Sequence, residues 1–313
     1  MSRPAIRVPT TVNGGSTVKI SPSPVTIGTS GLGRNTQPGS PEEKTAVAAA
    51  VALFESPHTY VDTSNNYSGG RSEAILGLAL QQVKADAEPH VVTKVDEDPD
   101  TRAFDRDRVL RSFEESCARL GVDRLPLLHF HDPYAVTVSE AMAPGGAVEG
   151  LIELRDAGVV DAIGIATYPI DEMREYIGTG VFDAVLSHNC FTLVDRSAAP
   201  LFEDARARGM TVFNAAPFGS GILAKGSASA STYAYREPSA ELLSRVVRME
   251  EVCAAYDVPL AAVALEFSLR SPLVDSTVVG IKTEHRLREL TALLATDVPD
   301  EIWGRIEAIQ ASA

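Results

Sequence analysis

The sequence has only three cysteines, and they form no recognisable pattern. Cys117, Cys190 and Cys253 are odd in number, far apart along the chain and never arranged as C-x-x-C. Disulfide-stabilised folds and structural zinc sites need paired or regularly spaced cysteines, so the sequence indicates neither. A reducing compartment is consistent with this usage.

Positive charge is also scarce. The chain has 28 Lys and Arg against 42 Asp and Glu, a formal net charge of -14. Such a protein repels phosphate backbones and anionic lipid surfaces, so nucleic acid and membrane partners are not expected. No run approaches eighteen consecutive apolar residues, and residues 1–16 contain two Arg but no apolar segment typical of a secretory signal. These absences predict a soluble cytoplasmic protein.

What the chain does have is a regular alternation of two patterns. Short β-branched or apolar runs, which are typical of buried parallel strands, alternate with longer segments of helical period. The predicted strands are 25–27, 60–62, 91–94, 127–131, 162–165, 184–188, 211–214 and 276–279. The predicted helices are 42–55, 72–84, 105–120, 147–157, 170–179, 198–208, 240–256 and 260–270. The alternation therefore indicates eight consecutive βα units.

Eight such units predict a single-domain (β/α)8 TIM barrel in the α/β class. The competing doubly wound sheet would place a G-x-G-x-x-G turn after its first strand, but residues 28–34 read GTSGLGR, which lacks that spacing. No Gly/Ser/Pro linker divides the chain, and the low-complexity stretch 226–231 is expected to be a loop insertion. We assign residues 1–17 to a polar extension and 18–313 to the barrel, with a terminal helix at 301–309.

Four chemically versatile side chains fall at the ends of three successive predicted strands. Asp62 and Tyr67 follow the second strand, Lys94 ends the third, and His131 ends the fourth. Barrel enzymes carry their active sites at the carboxyl ends of the strands, so these side chains should meet there. They are therefore the candidate catalytic residues.

Tyr67 could act as an acid or base if its neighbours made its proton mobile. A phenol has a pKa near 10, so proton exchange near pH 7 requires lowering that pKa by about three units, or about 4 kcal/mol. The Lys94 ammonium could supply much of this effect, and Asp62 would hold Lys94 protonated. His131 would then orient the reacting oxygen.

Each of these residues also has a purely structural interpretation. An Asp at a strand end often forms a turn, and a loop Tyr is usually a packing residue. His129 competes with His131, because both fall on the same predicted face of one strand. We prefer His131 because it lies closer to the carboxyl end and precedes Asp132 and Pro133, which would begin the loop.

Together these motifs resemble the aldo-keto reductase superfamily over about residues 25–290. The segment 62–73, DTSNNYSGGRSE, is similar to that family's first signature, and VTK at 92–94 to its lysine strand. Further matches are LGVD at 120–123, ELRDAGVVDAIG at 153–164 and APFGSGIL at 216–223. HDP at 131–133 with STVVGI at 276–281 most resembles the branch of aldose 1-dehydrogenases, such as fucose dehydrogenases, and pyridoxal 4-dehydrogenase.

The resemblance implies hydride transfer between NAD or NADP and a carbonyl or alcohol carbon, without a metal. The tetrad would be Asp62, Tyr67, Lys94 and His131. The expected substrate is an aldose oxidised at C1 to a lactone, or an aldehyde or ketone that is reduced. Candidate sugar-stacking groups are Tyr134, Tyr168, Tyr233 and Tyr235. A monomer or small homo-oligomer is expected.

The resemblance also implies a set of cofactor-binding positions on the loops that follow the strands. These are Gly28, Ser30, Asp62, Thr167, His188, Asn189, Phe191, Pro217, Phe218, Gly219, Ser220, Gly221, Gly280, Lys282 and Arg286. Several depart from the family pattern. Ala166-Thr167 and His188-Asn189 replace the usual carboxamide-binding residues, and Ala215 replaces an aromatic that stacks on nicotinamide in many members.

The adenosine end departs from the family pattern as well. Gly280 and Ile281 hold positions where NADPH-dependent members offer Lys and Ser, whereas Lys282 is displaced by two residues and Arg286 is retained. The loss of the dedicated Lys favours NAD, with NADP as the alternative.

Two other functions are compatible with parts of the sequence. A regulatory or accessory barrel could bind the cofactor without turnover, although retention of all four tetrad residues argues against it. A carboxylate-based hydrolase would need two paired acids, and the sequence gives no reason to pair Asp62 with Asp132.

Overall fold

Eight parallel strands form one closed barrel. The computed structural model describes residues 20–84, 90–229, 232–234 and 236–311, so the predicted extension at 1–17 lies outside the described residues. Each strand pairs with its neighbours in chain order, and the last closes on the first. The strands are β1 Val25–Gly28, β2 Tyr60–Asp62, β3 His90–Val95, β4 Leu128–His131, β5 Ile163–Thr167, β6 Ala184–His188, β7 Thr211–Ala215 and β8 Ser276–Gly280. The predicted (β/α)8 barrel is confirmed.

Helices surround this barrel. They are α1 Pro41–Phe54, α2 Arg71–Leu80, α3 Arg106–Leu120, α4 Val138–Met142, α5 Ala147–Asp156, α6 Ile170–Gly178, α7 Ala199–Ala207, α8 Ile222–Lys225, α9 Ala240–Ala255, α10 Leu260–Leu269, α11 Glu284–Leu294 and α12 Glu301–Ala311. All eight predicted helices and the terminal helix are present. The sequence patterns missed α4, α8 and α11, because the first two are about one turn long and α11 buries only Leu290.

Helix α3 shows how local chemistry sets these boundaries. Asp105 caps its first turn by accepting a hydrogen bond from the Arg108 amide, and Gly121 ends it at φ 73°. Its apolar stripe, which includes Val109, Phe113 and Leu120, is buried against the barrel. Packing of this stripe fixes α3 beside β3, whose carboxyl end carries Lys94.

Strand register places the polar residues at one end of the barrel. Side chains alternate between the barrel interior and the helix layer, and Lys94 pairs in register with His129 while His131 pairs with Ala166. Asp62 is the last residue of β2 and pairs with Val92, two residues before Lys94. The carboxyl ends of β2, β3 and β4 therefore bring Asp62, Lys94 and His131 to the same mouth.

Across the part of the chain that the structure describes, no single helix is long and apolar enough to cross a membrane. Helices α9 and α10 meet that criterion only as a joined pair bent by 99°, and by length and composition alone.

Gly77 allows α2 and α3 to approach closely. A Cβ atom at this position would lie 2.0 Å from the Arg119 carbonyl oxygen. We expect Gly77→Ala to lower the free energy of unfolding by about 1–3 kcal/mol, because the helices must separate. The control is Gly304→Ala in α12, where nothing lies within 4 Å and a gain of about 0.5–1 kcal/mol is expected. Equal effects of the two variants in denaturant unfolding would contradict this packing argument.

Candidate active site

A cavity of about 240 Å³ opens at the carboxyl end of the barrel. All four candidate catalytic residues line it: Asp62, Tyr67, Lys94 and His131. Of the remaining predicted cofactor-binding residues, Gly28, Ser30, His188 and Gly280 also line it. The sequence prediction that loops from distant strands meet at one mouth therefore agrees with the observed geometry.

Asp62 and Lys94 form a buried ion pair at the base of the cavity. Lys94 Nζ lies 2.7 Å and 2.8 Å from the two Asp62 carboxylate oxygens, and it also donates to the Thr63 carbonyl at 2.6 Å. Burial disfavours the ammonium, but Asp62 and Tyr67 outweigh it and raise the pKa of Lys94 above its ordinary value. Lys94 is therefore a fixed positive charge beside Tyr67.

Tyr67 lies directly over this charge. Lys94 Nζ is 4.6 Å from the centre of the Tyr67 ring, and the His131 ring meets the same ring edge-on with centroids 5.7 Å apart. The loop that carries Tyr67 is anchored to neighbouring strands, since the Asn65 amide donates to the Lys94 carbonyl. The phenol is thus held between a cation and an imidazole.

The expected lowering of the Tyr67 pKa is wrong for this site. Burial raises the pKa of Tyr67 to about 12, and the nearby Asp62 and Asp96 carboxylates add to that effect, whereas Lys94 only partly opposes it. The effect of desolvation on the Tyr67 pKa exceeds that of Lys94, because the buried phenolate would lose its hydration. The Tyr67 phenol is therefore a neutral proton donor in the free protein.

This raised pKa predicts the ionisation behaviour of the free protein. We expect the phenolate absorbance of wild type minus Tyr67→Phe to show no contribution from Tyr67 below about pH 10, the ordinary value for tyrosine. The folded state should be verified by circular dichroism at each pH. A difference signal that titrates near neutrality would contradict the assignment.

His131 is oriented by a residue that the sequence patterns did not single out. Asp96 follows β3, and its Oδ1 lies 2.7 Å from His131 Nδ1. Ser64 Oγ is 3.2 Å from the same nitrogen and donates a hydrogen bond to Asp96 Oδ2. The available signal was spacing, because Asp96 is two residues after Lys94 and so faces the same side of the chain.

His129 has no comparable role in the cavity. It is fully buried inside the barrel beneath Lys94, and neither ring nitrogen has a hydrogen-bond partner among the described residues. Burial, Lys94 and His131 hold the pKa of His129 well below its ordinary value, so the ring is neutral. The structure places His131, not His129, at the cavity.

Thr167 at the end of β5 and Asn189 after β6 have unsatisfied polar atoms. Both are buried next to residues that line the cavity, Ala166 and His188, but neither lines it. Within the described ranges, Asn189 Nδ2 has no hydrogen-bond partner, and Thr167 Oγ1 has none at bonding distance, although the Tyr134 phenol lies nearby. Buried polar atoms without partners are uncommon and indicate a missing ligand or water.

Other predicted cofactor positions lie further from the cavity. The Phe191 ring packs against Phe202 and Phe267 in the helix layer, so the structure does not bring it to the cavity. The predicted cofactor-binding positions after β7 do not line the cavity, although they follow Ala215 and Ala216, which do. These positions are Pro217, Phe218, Gly219, Ser220 and Gly221.

The adenosine-end candidates are exposed. Lys282 lies beside Gly31. A Cβ atom added at Gly31 would lie 3.4 Å from the Lys282 side chain. Arg286 is in the first turn of α11 and forms an ion pair with Glu289 at 2.7 Å. Neither cation lines the cavity.

The wall that faces the tetrad carries further polar and aromatic groups. Asp132 and His188 line the cavity, and His188 stacks on Tyr168 with centroids 5.6 Å apart. Tyr134 is exposed and donates to Asp132 Oδ1 at 3.1 Å. Tyr233 instead donates to the Asn189 carbonyl at 3.1 Å and packs over Gly219. The fourth candidate stacking group, Tyr235, lies outside the described residues.

Comparison with known proteins decides the family. The model described as the aldo/keto reductase family matches residues 24–311. The chain belongs to the aldo/keto reductase family. It is an oxidoreductase that acts on CH–OH or C=O groups, and the family supports NAD(P)-dependent chemistry.

Relatives of this aldo/keto reductase include two dehydrogenases. It is 31% identical to D-threo-aldose 1-dehydrogenase of a Pseudomonas species over 83% of this chain and 86% of that protein. It is 32% identical to pyridoxal 4-dehydrogenase of Microbacterium luteolum over 64% of this chain and 61% of that protein. The predicted branch is confirmed. The structure of a glycerol dehydrogenase from Gluconobacter oxydans superimposes with a TM-score of 0.74, covering 98% of this chain and 95% of that chain at 20% identity, which shows a shared fold.

The site of this aldo/keto reductase fits a nicotinamide carboxamide. That group offers an NH2 donor and a C=O acceptor, which match the unsatisfied Thr167 hydroxyl and Asn189 amide. Among the residues described, no three His, Cys, Asp or Glu side chains come together in an arrangement that could hold a metal ion.

Proposed function

We propose that this protein oxidises an aldose at C1 to a lactone with NAD, or reduces an aldehyde or ketone. The observation that carries the proposal is the cavity itself. It joins Tyr67 to the Asp62–Lys94 ion pair and His131 on one side, and Asp132 and His188 on the other. The similarity to an aldose 1-dehydrogenase supports the same substrate class.

In this proposal, Tyr67 transfers the proton while the bound nicotinamide supplies or accepts the hydride. Because the pKa of Tyr67 is raised to about 12, its Oη carries a proton at neutral pH and can donate it to a carbonyl oxygen. Lys94, whose Nζ lies 4.6 Å from the ring, then stabilises the resulting phenolate. The free site is thus prepared for the reductive direction.

Oxidation requires the opposite proton movement. Tyr67 Oη must be ionised before it can accept a proton from the substrate hydroxyl, and burial opposes that ionisation. The Lys94 ammonium opposes burial and is held in place by Asp62 and the Thr63 carbonyl. The ion pair therefore contributes most in this direction, where negative charge must exist on the phenol.

Binding of the cofactor is assigned to groups at the ends of the strands. Thr167 and Asn189 would hold the carboxamide, because their buried polar atoms lack partners. Gly28, Ser30 and Gly280 line the adjoining wall and leave it open for the rest of the cofactor. The segment 217–221 would close over it, while Lys282 and Arg286 would meet the adenosine end.

The opposite wall suits a substrate with several hydroxyl groups. Asp132 can accept hydrogen bonds only, His188 can donate or accept one, and Tyr134 can pack its ring against a sugar face. Burial lowers the pKa of His188, although Asp132 partly opposes this, so the ring is neutral near pH 7.

We expect NAD to be used more efficiently than NADP, since Glu289 neutralises Arg286 where a 2′-phosphate would need its charge. Glu289→Gln should raise kcat/KM for NADP relative to NAD by up to about fivefold, because an exposed ion pair is worth at most about 1 kcal/mol. The control is Glu307→Gln in α12, which disturbs the exposed ion pair between Glu307 and Arg196. Wild-type preference for NADP would contradict this assignment.

The proposal is tested by mixing purified protein with NAD or NADP and a panel of aldoses, aldehydes and ketones, and following the absorbance of reduced nicotinamide. Turnover of at least one aldose is expected. Tight cofactor binding without turnover of any substrate would favour the accessory-barrel alternative. The carboxylate hydrolase is disfavoured because Asp62 is bound on both oxygens by Lys94 and cannot act as a free acid.

A further inference from the structure

The Asp96 carboxylate accepts hydrogen bonds from three donors, one of them His131, which lines the cavity. His131 Nδ1 lies 2.7 Å from Oδ1, while Ser64 Oγ and the Asn66 amide donate to Oδ2, the latter at 2.9 Å. Asp96 is 6% exposed, so these donors take the place of water. Three converging donors are the environment of an ionised carboxylate.

The backbone of Asp96 is equally constrained. Its amide donates to Ser112 Oγ at 3.2 Å, and its carbonyl accepts from Arg108 Nε at 2.8 Å. Burial alone would raise the pKa of Asp96, but His131, Ser64 and the Asn66 amide together hold that pKa below its ordinary value. The carboxylate is therefore ionised and fixed in position from helix α3.

An ionised carboxylate decides which nitrogen of His131 carries the proton. Carboxylate oxygens only accept, so Nδ1 must present its hydrogen to Asp96. In the neutral ring, Nε2 then has a free lone pair. The nearest carboxylate oxygen to Nε2, on Asp132, is 3.7 Å away, too far for a hydrogen bond. Nε2 is thus available to a ligand in the cavity that His131 lines.

We propose that Asp96 is a positioning residue that holds His131 in the Nδ1–H tautomer, so that Nε2 accepts a hydrogen bond from a hydroxyl group next to the reacting carbon, while the reacting hydroxyl donates to Tyr67 Oη. The inference rests on the proposed function for the identity of that hydroxyl. Because the reaction does not change that neighbouring hydroxyl, the same contact serves both directions of the reaction.

The tautomer can be observed in the free protein by nitrogen NMR with 15N-labelled histidine. The His131 signals are those that disappear in His131→Asn, and we expect neutral His131 to show a protonated Nδ1 and a bare Nε2. In Asp96→Asn, the amide NH2 can donate to Nδ1, so the proton should move to Nε2. A wild-type ring protonated on Nε2 would overturn the inference, even if the variant does not fold.

Kinetics provide the second arm. Asp96→Asn should lower kcat for oxidation of a substrate that carries this neighbouring hydroxyl by about 10²-fold, because the substrate is misoriented, while KM and cofactor affinity change less. Ser64→Ala is the matched control, since it removes a partner of Asp96 and the 3.2 Å contact of Ser64 with His131 Nδ1 but leaves the contact between Asp96 and His131. It should retain the wild-type tautomer and lose less activity than Asp96→Asn.

Two results of these arms would reject the role of Asp96. One is an unchanged tautomer and kcat in Asp96→Asn, and the other is an equal fall in kcat and rise in KM, which would indicate general disruption of the site. The NMR measurement needs no substrate, so its failure overturns this inference alone. Absence of turnover by the wild-type protein would instead overturn the proposed function.

Discussion

Tyr67→Phe is expected to reduce turnover by about 10²–10⁴-fold while leaving cofactor affinity nearly unchanged. The substitution removes the only oxygen that Tyr67 can use to donate or accept a proton. It keeps the ring, whose contacts with Lys94 at 4.6 Å and His131 at 5.7 Å shape the cavity. Steady-state rates in both directions, together with cofactor binding measured by fluorescence, check the prediction.

Tyr176→Phe provides a matched control for the loss of a hydroxyl. Tyr176 is fully buried in α6 outside the cavity, and its hydroxyl has no hydrogen-bond partner among the described residues. Its removal should therefore affect neither turnover nor stability appreciably. Tyr67→Phe with nearly wild-type activity would show that another group is the acid or base. Equal losses in the two variants would point to a general effect on folding.

Lys94→Met is expected to lower the free energy of unfolding by about 3–5 kcal/mol and to abolish turnover. The Met side chain has a similar length, but it leaves the Asp62 carboxylate buried without its counter-ion, which is the costly part of breaking a buried pair. It also leaves the Thr63 carbonyl without the donor at 2.6 Å. Denaturant unfolding monitored by circular dichroism measures the loss of stability.

Two further variants separate burial from charge. Arg288→Met breaks an exposed ion pair with Glu284 in α11, in which both side chains are 63% exposed, and should change stability by less than about 1 kcal/mol. Adding Asp62→Asn to Lys94→Met should recover part of the lost stability, because the unpaired charge is gone, but not the turnover. A stable, active Lys94→Met protein would contradict both the structural and the chemical role.

Much of the barrel could be predicted because its signals are local. A short apolar run predicts a buried strand. An apolar stripe between Asp105 and Gly121 predicts α3. The short helices α4 and α8 lack enough residues for such a pattern. Phe191 was predicted to bind the cofactor from its place in a motif. The motif did not reveal that the Phe191 ring packs against Phe202 and Phe267.

The sequence by itself determined the order of the strands and which residues stand at their carboxyl ends, because chain order fixes neighbours in a closed parallel barrel. That was enough to predict that Asp62, Lys94, Tyr67 and His131 would line one cavity. Only the tertiary structure decided the electrostatics. Burial is a property of all surrounding elements, and it raises the pKa of Tyr67 where the Lys94 charge alone would lower it.

The partner of His131 also depends on the tertiary structure. Asp96 and Ser64 come from different strand ends, and their contact with His131 Nδ1 depends on the register of β2, β3 and β4 and on the anchoring of Asp96 by α3. The spacing from Lys94 indicated which side of the chain Asp96 faces but not its contact with His131, because that contact is set by three-dimensional packing between segments. The sequence thus specified which groups are present, and the folded barrel decided which of them hold protons.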